Sequence, residues 1–265
     1  MKFVILTENR KGIEACTNEN GLSIYIESDN GKLLLDTGIT DSFIKNANNL
    51  NIDLNKVNII VLSHGHYDHS GGLNSYKKRI KLVCHPDCCM NRISKRTNTY
   101  GGINYTKADL EKNFDLLMTK EPYEILENIY FLGEIPRKLS FECNNFPMVV
   151  DDGSDDTAPD DTGLVIQSDK GLIVISGCAH SGICNTIEYA KEIMNEDKVY
   201  AVIGGFHLKD IDESTDKTIK YFIDNNIKNA FMGHCTSDEV IETFKIQLEG
   251  KCDVQKLFSG YTFEL

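Results

Sequence analysis

The chain contains 265 residues, of which 41% are hydrophobic and 26% are charged, a composition that is ordinary for a soluble globular protein with a substantial core. Its formal net charge is −12, which argues against a nucleic-acid partner because proteins that bind this polyanion need clustered Lys and Arg. A small phosphorylated substrate remains compatible with the charge, since it requires only one or two local cations.

Targeting and cysteine signals indicate a cytoplasmic protein. The apolar run at residues 3–6 is too short for a signal peptide, and no run approaches the roughly 18 apolar residues of a membrane span. Nine cysteines without a CxxC pair favour free thiols in a reducing compartment over a zinc knuckle near His85. We therefore expect no membrane partner. Whether the chain forms a homo-oligomer is left open by the sequence.

The first quarter of the chain predicts strands followed by a helix. Strands are predicted over residues 2–6, 22–27 and 32–35, and the turn Asp29-Asn30-Gly31 joins the last two strands into a hairpin. Apolar residues at helical spacing predict a helix over 41–50. The β-branched apolar run at 57–62 then predicts a buried strand.

A dense group of metal-ligand side chains follows that buried strand directly, in the order His64-x-His66-x-Asp68-His69. Imidazole and carboxylate together suit zinc, iron or manganese. His64 and His66 can converge on one ion, because an extended segment returns to the same side every second residue. Asp68 and His69 would then face a neighbouring ion, so this segment predicts one half of a dinuclear site.

This motif resembles the signature of the metallo-β-lactamase fold superfamily. The resemblance implies an α/β fold, an αββα sandwich with two mixed β-sheets flanked by helices, and a two-metal site that activates water. Asp36-Thr37-Gly38 resembles the superfamily's first motif, whose aspartate supports the metal loop. The alternative is that Asp36 caps the helix expected to begin near Thr40.

The middle of the chain is less regular. Short helices are predicted over 73–79 and from His85-Pro86, with a strand over 80–84 between them. An insertion around 91–147 would select the substrate, and its Tyr100 and Tyr105 either stack on a planar ring or are ordinary loop tyrosines. A strand is predicted over 129–132. The acidic run near 149–160 is interpreted as a solvated loop; its aspartates are Asp151, Asp152, Asp155, Asp156 and Asp160.

The last third is regular again. It predicts a hairpin from strands over 164–167 and 172–176, helices over 185–195, 215–225 and 237–248, and strands over 199–203, 227–232 and 254–258. Without a linker or a short repeat, the whole chain, 1–265, is predicted to be a single domain.

Three of these later strands each end in a histidine flanked by glycine: His180, His207 and His234. Polar residues at the carboxyl ends of buried strands gather on one rim of an α/β sheet. We therefore expect these histidines to share a site with the earlier motif.

The resemblance also shows where this chain departs from the superfamily. Where the superfamily commonly has a bridging aspartate, this chain has Ser176-Gly177-Cys178, so Cys178 or, as we prefer, His180 supplies the ligand. An upstream histidine is absent too, and Asp160 or Asp161 lies near its place. His234 resembles the last ligand of the second metal. The expected ligands of one ion are His64, His66 and His180, and those of the other are Asp68, His69 and His234.

Two residues receive catalytic roles in this interpretation. Asp68 would orient the attacking hydroxide in addition to binding metal. His207 could be a ligand, but we prefer a proton donor or substrate contact, because histidine titrates near neutral pH without large tuning.

A finer resemblance covers nearly the entire chain. Segments including Ser63 to Gly72, Gly133 to Arg137 and Gly177 to Asn185 recur in order in the subfamily similar to the archaeal 7,8-dihydropterin-6-methyl-4-(β-D-ribofuranosyl)-aminobenzene-5′-phosphate synthase. If the substrate carries a phosphate, Arg137 is the expected bidentate donor to it.

The leading function is a metal-dependent hydrolase that acts on a small phosphorylated or ester-bearing metabolite through metal-activated water. Zinc is expected, as one or two ions, with iron or manganese as alternatives. A dihydropterin transferase is the second interpretation, in which the tyrosines would stack on the pterin. A non-catalytic metal-containing ligand sensor is an alternative from another class, and the −12 charge makes an RNA-processing nuclease a poor one.

Overall fold

The computed structural model describes residues 1–142 and 147–265. The chain divides into two compact units. Unit 1 comprises Met1–Lys120, Asn145–Asp160 and Phe258–Leu265, and unit 2 comprises Glu121–Asn144 and Asp161–Leu257. Residues 143–146, which belong to the insertion predicted around 91–147, lie outside the described residues.

The described strands, numbered in chain order, are β1 (Lys2–Thr7), β2 (Ser23–Ser28), β3 (Gly31–Leu35), β4 (Ile59–Val61), β5 (Lys81–Cys84), β6 (Ile93–Ser94), β7 (Asp115–Met118), β8 (Tyr123–Leu126), β9 (Ile129–Phe131), β10 (Met148–Val149), β11 (Gly163–Ser168), β12 (Gly171–Ser176), β13 (Val199–Gly204), β14 (Asn229–Met232), β15 (Asp253–Lys256) and β16 (Thr262–Glu264). The α-helices are α1 (Ser42–Asn49), α2 (Tyr67–Ser70), α3 (Lys107–Asn113), α4 (Ile183–Met194), α5 (Glu213–Asp224) and α6 (Asp238–Gln247).

Unit 1 is built on a seven-stranded mixed sheet in the order β16-β1-β2-β3-β4-β5-β7. The strands from β16 to β3 pair antiparallel, and those from β3 to β7 pair parallel. Because β4 lies between two parallel neighbours, its residues are buried and read as a continuous apolar run. This run places the following loop at the carboxyl edge of the sheet.

Unit 2 contains a second seven-stranded mixed sheet, in the order β15-β14-β13-β12-β11-β9-β8. Strands β12 to β15 are parallel, and β12, β11, β9 and β8 pair antiparallel. Its core includes three fully or almost fully buried aromatic rings, Phe206, Phe222 and Phe244. The predicted α/β class with two mixed sheets and helices is thus confirmed, whereas the single-domain assignment stays a prediction.

Helix ends follow the local sequence. The side chains of Asp212 and Ser237 accept hydrogen bonds from Thr215 N and Val240 N and so cap α5 and α6. Thr106 and Asp109 form a reciprocal capping box at the start of α3, a helix that the sequence did not predict. None of the helices in the described ranges is long and apolar enough to span a membrane.

Two short helices of the prediction are wrong. Instead of a helix over 73–79, a 3₁₀ turn spans Gly71–Ser75 and the backbone becomes extended at Tyr76; glycine, asparagine and serine in this turn are weak helix formers. The segment after His85 is likewise a 3₁₀ turn, Pro86–Cys89, although Pro86 occupies its first turn as expected.

Candidate metal centre

The loop after β4 buries three histidines of the predicted metal motif. His64 and His69 are completely buried and His66 is 5% exposed. His66 is the extended N-cap residue of α2, so Asp68 and His69 lie in the helical turn that follows it. Asp68 is partly exposed. A strand end and a one-turn helix together position four predicted ligands.

The imidazole ring of His64 lies against the rings of both His66 and His69. The centroid of the His64 ring is 4.4 Å from that of His66 and 4.2 Å from that of His69. His64 Nε2 lies 2.9 Å from His66 Nδ1. Two nitrogens that bind one tetrahedral zinc at about 2.0–2.1 Å are roughly 3.3 Å apart, so this pair of atoms is close to the spacing that an ion requires.

The opposite nitrogen of each ring has a polar partner. His69 Nδ1 lies 2.7 Å from Asp36 Oδ2, and His64 Nδ1 lies 2.9 Å from the hydroxyl of Ser63. His66 Nε2 lies 3.2 Å from Asp156 Oδ2. Metal-binding histidines generally use their second nitrogen in this way, which fixes the tautomer and the ring orientation. The three rings therefore fit a divalent metal such as zinc.

Asp36 supports the loop that carries these histidines through hydrogen bonds to Ser63. Its carboxylate accepts hydrogen bonds from the backbone N–H and the hydroxyl of Ser63, at 2.8 and 2.6 Å. The supporting role predicted for Asp36 is confirmed. The alternative, a helix cap, is wrong, because α1 begins at Ser42 with Asp41 as its N-cap.

The acidic run is not a uniformly solvated loop, and that prediction is wrong for two of its aspartates. Asp156 is 4% exposed and Asp160 is completely buried. Both carboxylates bind the guanidinium group of Arg92, which is also completely buried: Nε lies 2.7 Å from Asp156 and Nη2 2.5 Å from Asp160. Burial by itself raises the pKa of Asp156, but the His66 hydrogen bond and the positive charge of Arg92 outweigh it and lower the pKa.

The two aspartates considered in place of the missing histidine have different environments. Asp160 Oδ2 accepts the backbone N–H of Gly65 at 2.7 Å, within unit 1. Asp161 Oδ2 accepts the N–H of Ser181 at 2.8 Å, within unit 2. Each carboxylate therefore supports a loop that carries histidine.

Unit 2 brings the three later histidines to one edge of its sheet. His180, His207 and His234 follow the adjacent parallel strands β12, β13 and β14. The ring centroids of His180 and His207 are 4.5 Å apart. Cys178 Sγ lies within 4.8 Å of a ring nitrogen of His180 and of one of His234. The alternatives Cys178 and His180 are thus neighbours, with donor sets that suit zinc.

Close backbone contacts hold these three loops together. Gly205 N donates to Gly177 O at 3.0 Å, and Gly233 N donates to Gly204 O at 3.1 Å. A Cβ at Gly205 would lie 2.6 Å from both Gly177 O and Cys235 Sγ. Only glycine permits the second loop to approach the other two so closely.

Several residues around the candidate ligands have left-handed backbones. The φ angles are 60° at Asp36, 55° at Ala179, 53° at His207 and 52° at His234. Residues other than glycine adopt this region at a cost and concentrate at functional sites. Sequence inspection did not reveal this strain, since the residue types concerned are ordinary.

The predicted substrate contacts lie in both units. Arg137 is exposed after β9 in unit 2. Tyr100 and Tyr105 help to line an open cleft in unit 1 together with Cys89. The Tyr100 hydroxyl donates to Ile103 O at 2.8 Å, and the Tyr105 ring packs edge-on against Phe114. Tyr100 is 42% exposed and can offer a ring face to a ligand.

Comparisons with known proteins agree with this geometry. The family model of the metallo-β-lactamase superfamily matches residues 16–84, which include the three buried histidines. The 7,8-dihydropterin-6-methyl-4-(β-D-ribofuranosyl)-aminobenzene-5′-phosphate synthase of Methanocaldococcus jannaschii is 33% identical over 98% of this chain and 95% of its own length. The chain belongs to the metallo-β-lactamase superfamily. The resemblance seen in the sequence, including the subfamily, is confirmed.

Two solved structures share the fold of this chain. Tm1679, described as a metal-dependent hydrolase of the β-lactamase superfamily, superposes with a TM-score of 0.87 at 28% identity and covers 100% of this chain and 99% of its own. Zn²⁺-bound PqqB from Methylobacterium extorquens covers 100% of both chains with a TM-score of 0.58 and 13% identity, a likeness of fold.

Proposed function

We propose that this protein is a metal-dependent hydrolase of a small phosphorylated or ester-bearing metabolite. The observation that carries the proposal is the set of three buried imidazoles whose outer nitrogens are held by Asp36, Ser63 and Asp156. These hydrogen bonds fix the tautomer and the orientation of each ring, as they do for histidines that bind metal. Similarity to Tm1679, described as a metal-dependent hydrolase, supports the reaction class.

The proposed ligands come from the positions of the residues in the superfamily's motifs. His64, His66 and His180 would hold one ion, and Asp68, His69 and His234 the other. Cys178 is the competing ligand to His180. Zinc is the proposed metal because imidazole, carboxylate and thiolate are its usual donors, and iron or manganese are alternatives.

A divalent ion bound here would lower the pKa of water and stabilise the negative charge that develops in hydrolysis. Asp68, at the first turn of α2, would orient the attacking water. His207 would donate a proton to the leaving group, a role that suits the intrinsic pKa of histidine. Arg137 would bind a substrate phosphate through two parallel hydrogen bonds.

A second candidate is a synthase that joins a dihydropterin to an aminobenzene riboside phosphate. It is favoured by 33% identity to the archaeal synthase over almost the full length of both chains. In that reaction the arylamine nitrogen would form a bond to the carbon attached to the pterin, and diphosphate would leave. Tyr100 would then stack on the pterin ring, an arrangement that its exposed face permits.

One experiment separates these functions. Purified protein loaded with zinc, iron or manganese is incubated with phosphomonoesters, phosphodiesters and lactones, and separately with a dihydropterin diphosphate plus the arylamine riboside phosphate. Hydrolysis that is lost in His64→Ala and His66→Ala supports the hydrolase, and a condensation product with diphosphate release supports the synthase. Metal and ligand binding without turnover would contradict both and indicate a sensor.

The chain offers a matched control for these substitutions. His85 is also completely buried, and its Nδ1 accepts the Asp87 N–H at 3.1 Å. His85→Asn preserves this cap while removing an imidazole. It should leave metal content and turnover unchanged, whereas equal losses in all three variants would indicate general destabilisation.

A further inference from the structure

Arg92 occupies an unusual position behind the metal loop. Its guanidinium group is completely buried between Asp156 and Asp160. An arginine loses much hydration in such a place, and burial is tolerated when several charge-assisted hydrogen bonds compensate. Sequence patterns gave no sign of this cluster, because Arg92 and its partners are 64 and 68 residues apart.

Both carboxylates also contact the metal loop itself. Oδ2 of Asp156 lies 2.7 Å from Arg92 Nε and 3.2 Å from His66 Nε2. Asp160 instead uses a different oxygen for each contact: Oδ1 binds Arg92, and Oδ2 accepts the backbone N–H of Gly65. One guanidinium is therefore connected, through two carboxylates, to two consecutive residues of the loop.

The loop has little room to move away from this support. A Cβ at Gly65 would lie 1.8 Å from Cys88 O and 2.9 Å from Arg92 Nη1. Among the described residues, Arg92 Nη1 has no hydrogen-bond partner, so it contributes packing against the loop, and the other two nitrogens contribute the binding. Backbone contact and charge thus both act on Gly65.

We propose that Arg92 is a positioning residue for the metal site: it fixes Asp156 and Asp160, and through them the ring of His66 and the backbone of Gly65. This inference rests on the proposed metal-dependent function. With Asp156 fixed as an acceptor, His66 carries its proton on Nε2 and presents the Nδ1 lone pair beside His64 Nε2, the 2.9 Å pair described above.

Lysine cannot replace arginine in this role. The guanidinium places Nε and Nη2 in one rigid plane and binds two carboxylates at once, whereas an ammonium is a point charge on a flexible stem. Arg92→Lys retains the positive charge between the two aspartates but loses the fixed geometry. It therefore separates the positioning role from simple charge balance.

The test is metal affinity, measured by competition with a chromophoric chelator, together with the visible spectrum of the Co²⁺-substituted protein. Arg92→Lys should weaken zinc binding by about 10–100-fold, the range for groups that orient metal ligands, and alter the Co²⁺ bands. The matched control is Arg79→Lys, since Arg79 forms an exposed pair with Asp115 and should leave both readouts unchanged.

The outcomes are distinct. If the natural protein binds no metal, the proposed function fails and this inference fails with it. If the natural protein binds zinc and folded Arg92→Lys binds it equally tightly, only the inference is overturned, even when thermal stability has dropped. If Arg92→Lys does not fold, Asp160→Asn decides: it should fold and lose affinity, and unchanged affinity would overturn the inference.

Discussion

The Nδ1 atom of His69 lies 2.7 Å from Oδ2 of Asp36, and both side chains are completely buried. The same carboxylate oxygen accepts the hydroxyl of Ser63 at 2.6 Å. Asp36 thereby orients His69, a candidate ligand, and also Ser63, the residue before the candidate ligand His64. The backbone of Asp36 is left-handed, with φ of 60°.

Asp36→Asn should weaken zinc binding by about 10–100-fold. Asparagine also adopts the left-handed backbone conformation readily. The substitution therefore changes the hydrogen bonds of the side chain without straining the backbone. Its amide can offer only one acceptor oxygen where the carboxylate offers two. Chelator competition measures the affinity, and Asp53→Asn on an exposed 3₁₀ cap serves as the control. Unaltered affinity in Asp36→Asn would contradict the role given to Asp36.

Gly65→Ala tests how tightly the metal loop is packed. The new Cβ would lie 1.8 Å from the carbonyl oxygen of Cys88, and backbone atoms cannot move aside as a side-chain tip can. Overpacking of this kind costs about 1–3 kcal/mol or more, and we expect weaker zinc binding besides. Urea unfolding and chelator competition give the two values.

Gly153→Ala is the comparison for that variant. A Cβ at Gly153 meets no atom within 4 Å, but its φ is +81°. The cost there is conformational, about 1–2 kcal/mol, and metal affinity should not change. Equal effects of the two variants on affinity would show that the loop is not specifically constrained at Gly65.

The buried environment of Glu142 predicts that the stability of unit 2 depends on pH. The carboxylate accepts the backbone N–H groups of Cys184 and Asn185, both at 2.8 Å, at the start of α4. Burial raises the pKa of Glu142 to about 7 from 4.5, although these hydrogen bonds offset part of the effect. The folded state then holds a proton that the unfolded chain has already released.

Because the pKa is raised on folding, the stabilising contribution is complete below about pH 4.5 and is lost as the pH rises to about 7. The free energy of unfolding should decrease by up to about 3 kcal/mol across this window from Glu142 alone. Glu142→Gln, which stays neutral, should flatten the slope measured by urea unfolding at several pH values. Exposed Glu249→Gln should retain it, and an identical slope in Glu142→Gln would refute the assignment.

Phe244 and Ile246 lie in the same helix, α6, in opposite environments. The Phe244 ring is completely buried, 5.6 Å from that of Phe222 and 6.3 Å from that of Phe206, while Ile246 is 74% exposed. Phe244→Ala should cost about 3–5 kcal/mol through lost burial and a cavity. Ile246→Ala should change stability by about 0.5 kcal/mol or less. Comparable losses by urea unfolding would contradict the packing of α6.

Local sequence patterns predicted those elements whose causes are local. The β-branched apolar run before Ser63 predicts a buried strand, and every residue of β4 is buried. The histidines after β12, β13 and β14 lie at one edge because parallel strands end on the same edge of a sheet. The buried state of Asp156 depends instead on Arg92, which is distant in sequence. Patterns within a short window cannot show such a partner, so the acidic run predicts a solvated loop although Asp156 and Asp160 are buried.

The pairing of β1 with β16 bears on how the protein is made on the ribosome. Phe3 lies opposite Phe263, with their rings 5.1 Å apart, and Lys2 lies opposite Glu264. The sheet that positions the metal loop therefore cannot be completed until residues 258–265 have been synthesised and have left the exit tunnel. Unit 2 has no such requirement beyond Leu257. During translation, the edge of β1 that faces β16 stays unpaired, and so open to aggregation or to chaperones, until Thr262–Glu264 has emerged.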